Sequence, residues 1–85
     1  MQVIRAEDRP RIRLWFNGRD VSDESFSCWV SDEPGRLALG WVRMYKVLTD
    51  DHGTRLIKTR PTRTGDRFPV TYLRIGLVRW EPLGE

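Results

Sequence analysis

RIRLWFNGRDVS, residues 11–22, is the stretch on which the fold turns. Ile12, Leu14 and Phe16 alternate with Arg11, Arg13 and Trp15. A period of two belongs to an extended strand, whose side chains point alternately to opposite faces. Asn17-Gly18 follows, and both residue types tolerate the positive φ that a two-residue type I′ turn requires at its centre. The stretch therefore predicts a β-hairpin with a short return strand. One face is apolar (Ile12, Leu14, Phe16), and the other carries Trp15 between cations.

The same period continues outward along the chain. SFSCWV (25–30) alternates with Phe26, Cys28 and Val30 on one side, and DEPG (32–35) ends it. There Pro34 supplies a fixed φ and Gly35 a permissive residue, the pair a type II turn needs. RLALGWVRMYKVL (36–48) is long enough for a helix, but Gly40, Trp41, Val42, Tyr45 and Val47 favour strand. TDDHGT (49–54) reads as a turn, RLIK (55–58) as a short strand and KTRPTRTGDR (58–67) as a wet connection between the last two strands. FPVTYLRIGLVRW (68–80) is rich in β-branched and aromatic residues. Pro69 lacks an amide donor and belongs at a strand start or edge, and Gly76 suits a bulge.

These readings predict an all-β protein: a small antiparallel barrel or sandwich of five to six strands, one domain over residues 1–85. The ends, 1–10 and 81–85, are expected to be less ordered. The expected core is Ile12, Leu14, Phe16, Phe26, Cys28, Val30, Val42, Met44, Leu73, Ile75 and Leu77. Four tryptophans among 85 residues suit so small a domain, which must bury large rings to be stable. Trp15 and Trp29 fall on the strand faces opposite Phe16 and Cys28, so they are either outward-facing rings or part of a two-sided core that a second layer covers.

No pattern for catalysis or cofactor binding emerges. Cys28 is the one cysteine, which excludes an internal disulfide and reads as a small buried hydrophobe. His52 lies in a turn far along the chain from it. Asp50, Asp51 and His52 are consecutive, and adjacent side chains rarely converge on one metal. The glycines never form a phosphate-binding loop, and the acids at 20–33 lack calcium-loop spacing. The expectation is a protein that is not an enzyme, with no cofactor and no metal. The most apolar window, residues 37–48, is cut by Arg43 and Lys46, so no membrane span is expected. Residues 1–11 hold no apolar run of signal-peptide length.

Charge is the remaining signal. Residues 20–33 hold five acids and no base, whereas residues 55–79 hold seven bases and one acid. An electrically two-sided molecule is expected, suited to contact with another protein or with itself. The expected contact residues are Trp15 and Trp29, with Arg11 and Arg13 beside Trp15, and the cations Lys58, Arg60, Arg63 and Arg67. A nucleic-acid-binding β domain that uses the basic 55–79 segment is the alternative. It would place phosphates on those cations and stack bases on exposed rings.

The order of features from FNGRDVSDESFSCWVSDEPGRLALGWVRMYKV to the Gly-containing turn DDHG resembles short, uncharacterised proteins of tailed bacteriophages and prophages. The likeness spans residues 12–57. It implies a phage or prophage protein located in the cytoplasm of a bacterial host or in the virion. It further implies a non-enzymatic interaction role, as a virion assembly component or a small host-directed effector. It carries over no functional residues.

Overall fold

A computed structural model describes residues 1–84. The strands are β1 (Gln2–Ile4), β2 (Ile12–Phe16), β3 (Arg19–Asp20), β4 (Ser25–Val30), β5 (Ala38–Tyr45), β6 (Val47–Thr49), β7 (Arg55–Ile57), β8 (Thr59–Pro61), β9 (Arg67–Pro69) and β10 (Thr71–Pro82). A single 3-10 turn, Arg9–Arg11, precedes β2. The expected small all-β antiparallel domain is the observed one. Six strands form one antiparallel sheet in the order β1-β4-β5-β10-β2-β3, and β6-β7 and β8-β9 form two small ribbons.

The deciding hairpin folds as its residues dictate. Phe16 pairs with Arg19, and Asn17 and Gly18 take φ of 49° and 84°. The DEPG turn forms likewise: Gly35 has φ 80°, and the Arg36 amide donates to the Glu33 carbonyl at 3.3 Å. This turn then folds over the end of β10. The Gly35 amide donates to the Trp80 carbonyl at 2.7 Å, and the Trp80 indole donates to the Ser31 carbonyl at 2.8 Å.

The sheet curls around one core. Ile4, Ile12, Leu14, Phe16, Val21, Cys28, Val30, Val42, Met44 and Val78 are buried together, with Trp80 packed against them. Gly40 and Gly76 face each other across β5 and β10. A Cβ on Gly40 would stand 2.1 Å from the Trp29 carbonyl oxygen, and one on Gly76 would meet the Phe16 ring at 2.7 Å. Two facing glycines thus admit the β4 backbone on one side and a core ring on the other.

Several expectations need correction. Leu73, Ile75 and Leu77 lie outside the core: Val78, Trp80 and Pro82 pair with Phe16, Leu14 and Ile12, which puts the even-numbered side chains of β10 on the inner face. Phe26 is only half-buried and meets Tyr45 edge-on with ring centres 5.6 Å apart, because a bulge between Ser25 and Ser27 interrupts the alternation in β4. Register runs unbroken through Gly76, so that glycine marks a close approach and no bulge. The ends join the sheet: β1 pairs with β4, and β10 continues to Pro82, after which the Leu83 amide bonds the Arg11 carbonyl. Glu85, the last of the tail residues, lies outside the described residues.

Residues 58–67 are corrected too. They make no simple connection but most of a hairpin arm, β8 and β9 joined by a turn at Gly65, φ 86°. The arms branch from a cyclic junction. The Lys46 amide donates to the Val70 carbonyl (2.9 Å), Val70 to Lys58 (2.7 Å) and Lys58 to Lys46 (2.8 Å). Three backbone segments thereby satisfy one another where the β5/β10 ladder ends and both ribbons begin.

Candidate functional site: an uncovered apolar sheet face

The outer face of the sheet is apolar and exposed. Cross-strand pairing sets Val3 beside Trp29, Trp29 beside Trp41, and Trp41 beside Ile75, a row across four strands. Leu39 pairs with Leu77 in the next row. Strands about 4.8 Å apart make the first row roughly 14 Å wide. Ile75 is 71% exposed, Leu39 65% and Trp29 37%. Leu37, Leu73 and Leu77 are exposed as well. Trp41 is half-buried between them, so the face combines two indole rings with aliphatic side chains. Contiguous exposed apolar patches mark contact surfaces.

A polar margin surrounds the patch. Arg79 pairs with Trp15 across β10 and β2 and lays its guanidinium carbon 4.1 Å from the centre of the indole. Glu81 lies 3.9 Å from Arg79, and Arg13 lies 3.8 Å from Asp20. On the opposite strand Arg43 sits across from Leu73 and donates to Thr71 at 3.4 Å.

Of the expected contact residues, Trp15, Trp29 and Arg13 share this outer face. Arg11 is outside β2, at the end of the 3-10 turn, where it is exposed and 3.7 Å from Asp8. Lys58, Arg60, Arg63 and Arg67 are on or beside the β8–β9 arm. Trp41 stands five residues from the junction at Lys46, so the basic arm begins about 16 Å beyond the aromatic row. The rings and this cation group therefore form two surfaces.

Four of the five acids in 20–33, all but Asp23, are engaged by cations, which blunts the acidic side of the expected two-sidedness. Glu24 holds both Arg19 and Arg55, Asp20 faces Arg13, Glu33 faces Arg36, and Asp32 takes the Met1 amino group at 2.7 Å. Among the described residues Lys58, Arg60, Arg63 and Arg67 form no ion pair. Arg67 is spent locally, its Nε donating to Thr59 Oγ1 at 2.9 Å. Arg60 shares a ribbon face with exposed Phe68.

Trp41, Leu39, Leu73, Ile75 and Leu77 escaped the sequence reading of this face. Their signal was present, since odd-numbered β10 positions 73–77 are wholly aliphatic, but alternation alone does not say which face is outside. The chemistry-bearing residues lie elsewhere. Cys28 is buried in the core, and burial pushes its thiol up to about 12. Asp50 Oδ1 accepts the amides of His52 (2.9 Å) and Thr54 (2.8 Å), which organises the β6–β7 turn. Among the described residues no group of three or more His, Cys, Asp or Glu is placed to hold a metal, and no helix is long and apolar enough to cross a membrane. No family model matches the chain, and no curated protein or solved structure matches it either.

Proposed function

We infer that the chain is a non-enzymatic protein–protein interaction module of phage or prophage type that docks through the outer face of its sheet. The single observation that carries this reading is the uncovered row Val3, Trp29, Trp41 and Ile75 with Leu39 and Leu77 beside it. A sheet face of this kind gains about 25 cal/mol per Å² when covered. Trp and Arg are also the residues that anchor interfaces most often. The fitting partner is a protein surface with an apolar centre and an acidic margin to meet Arg43 and Arg79. Either role implied by the phage resemblance, assembly in the virion or contact with a host protein, uses such a face.

Site-specific photocrosslinking in the producing bacterium tests it. A benzophenone amino acid at Ile75 is expected to trap one discrete protein, and the same group at Glu7, on the exposed β1–β2 connection, is not. Equal trapping from both positions, or none from Ile75, overturns the reading. Sedimentation of the purified chain separates a second copy from a foreign partner.

A second reading rests on a different observation, the unpaired cations of the β8–β9 arm. A two-stranded ribbon fits the major groove, and Arg60 beside Phe68 offers a phosphate contact next to a stacking ring. DNA binding that falls steeply with salt and vanishes when Arg60, Arg63 and Arg67 are neutralised together supports it. No binding at low salt removes it.

A further inference from the structure

The β6–β7 arm carries two leucines that the fold leaves half bare. Leu48 and Leu56 are direct cross-strand partners, 46% and 50% exposed. Alternation puts them on one face of the ribbon and Val47, Thr49, Arg55 and Ile57 on the other. That second face is turned to the body: Arg55 pairs with Glu24, and Val47, Arg55 and Ile57 line a recess against Asp23 and Glu24 that Leu56 also borders. A two-stranded ribbon is only marginally stable alone and gains from a covering layer. At the tip the Asp50 amide donates to the Thr54 carbonyl and the Gly53 amide to the Asp50 carbonyl, each at 3.0 Å, so the turn is held in shape. Asp50 and Asp51 are exposed there and, among the described residues, form no ion pair. Unpaired cations lie only at the root of the arm, where Lys46 and Lys58 sit in the junction.

The outer sheet face has the converse arrangement. Arg43 follows Trp41 by two residues on β5, hence on the same side and about 7 Å along the strand. It stands opposite Leu73, donates to Thr71 and forms no ion pair among the described residues. On the arm Asp50 follows Leu48 by two residues, the same step of about 7 Å. An apolar group and a charge on one surface thus match an apolar group and the opposite charge on the other at one spacing. The β8–β9 arm offers no such match, because its unpaired charges are cations like those of the face. Nor does the β6–β7 arm reach the row on its own sheet. It has three residues per strand, about 10 Å, and leaves a junction about 16 Å from Trp41.

We propose that the outer sheet face of one chain takes the β6–β7 arm of a second copy, with the Leu48–Leu56 pair on Trp41 and Ile75 and the acidic tip beside Arg43. This rests on the docking-face reading and names its partner. The two surfaces differ, so the contact is heterologous. Each chain gives an arm to one neighbour and a face to another, and copies add head to tail. The contact is small, so a single one is weak.

Sedimentation of the purified full chain at up to about 1 mM, where even weak pairs form, tests it. The average mass is expected to climb past that of a dimer. Ile75→Glu spoils the face and Leu48→Lys spoils the arm, and each variant alone is expected to stay monomeric with unchanged circular dichroism. An equimolar mixture of the two retains one sound face and one sound arm, so it is expected to form a dimer and nothing larger. Asp51→Lys, at the solvated tip, leaves the ribbon bonds in place and is expected to weaken association about threefold to tenfold; it carries the test of the arm if Leu48→Lys disorders the ribbon. A parent chain that stays monomeric overturns the proposal, and if Ile75 still traps a foreign protein in the cell the docking face itself stands. Association that survives Leu48→Lys and Asp51→Lys undiminished, as in a face-to-face dimer, or a mixture that stays monomeric, overturns it as well.

Discussion

Arg79 stacks on Trp15, its guanidinium carbon 4.1 Å from the centre of the ring. The two residues are direct cross-strand partners, so the backbone register of β10 and β2 holds them in place. An exposed contact of this type contributes about 0.5–1 kcal/mol. Arg79→Ala is expected to lower stability by about that amount in urea denaturation and to change the fluorescence of the native state. Arg79→Lys should recover part of the loss.

The facing glycines bear much more. A Cβ on Gly40 would collide with backbone, the carbonyl of Trp29, which cannot swing aside as a side chain would. Gly40→Ala is expected to destabilise by at least about 2 kcal/mol, at the upper end for overpacking. Gly53 has open space around it, and its only obstacle is φ 80°. Gly53→Ala should cost about 1 kcal/mol. Equal midpoints for the two variants would contradict the close approach of β4 to β5.

The assignment of faces in β10 is open to a direct comparison. Val78, on the inner face of that strand, is wholly buried, and its change to Ser should cost more than about 2 kcal/mol through lost packing and an unpartnered hydroxyl. Ile75→Ser on the outer face should stay within about 0.5 kcal/mol of the parent in the isolated chain. Denaturation midpoints in that order place β10 as described, and the reverse order would invert the strand.

Cys28 offers a chemical probe of the same core. Its thiol is buried and pushed up to about 12, so thiolate is scarce at neutral pH. A disulfide reagent at pH 8 should leave the native chain unlabelled. Labelling should then rise with urea along the unfolding curve, and rapid labelling of native protein would show that the inner face is open.

Asp20 gives a pH dependence with a definite sign. Its carboxylate accepts the Ser22 amide at 2.9 Å and stands near Arg13 and Arg9, and the Ser22 bonds are the first reason that it titrates below the ordinary value of 3.8. A depressed carboxylate stabilises the fold above the unfolded-state pKa, and the effect is lost as pH falls through the folded one. The wild-type chain should therefore lose stability below about pH 4, and Asp20→Asn should lose less over the same window. Because Asp20 is exposed, screening keeps the difference small and salt should shrink it further.

How much of this was legible before folding depended on which physical rule governed each stretch. Asn17-Gly18 and Pro34-Gly35 are turn signals that act locally, and both turns formed where those residues stand. Ile12, Leu14 and Phe16 alternate against polar partners, so their inward face was plain. β10 differs, because Leu73, Ile75 and Leu77 on one side compete with Tyr72, Val78 and Trp80 on the other. Only the long-range register against Leu14 and Phe16 decides between them. At Phe26 a bulge shifted the pleat, and nothing in SFSCWV marks where one extra residue enters. That Trp15 and Trp29 point away from Phe16 and Cys28 was visible from alternation. The burial of Arg9 was not, since one arginine beside a proline in an irregular segment carries no period at all.

The junction of Lys46, Lys58 and Val70 makes residues 47–69 a graft. Tyr45 and Thr71 already face each other, and the next backbone bond, Lys46 to Val70, closes their ladder. The underlying plan is one six-stranded antiparallel sheet whose longest hairpin, β5 with β10, has two extra leaves sewn into its tip. Longer or shorter leaves alter how far the basic tip reaches, while the tryptophan-bearing wall behind keeps its shape. Reach and adhesion are therefore free to diverge independently in this architecture.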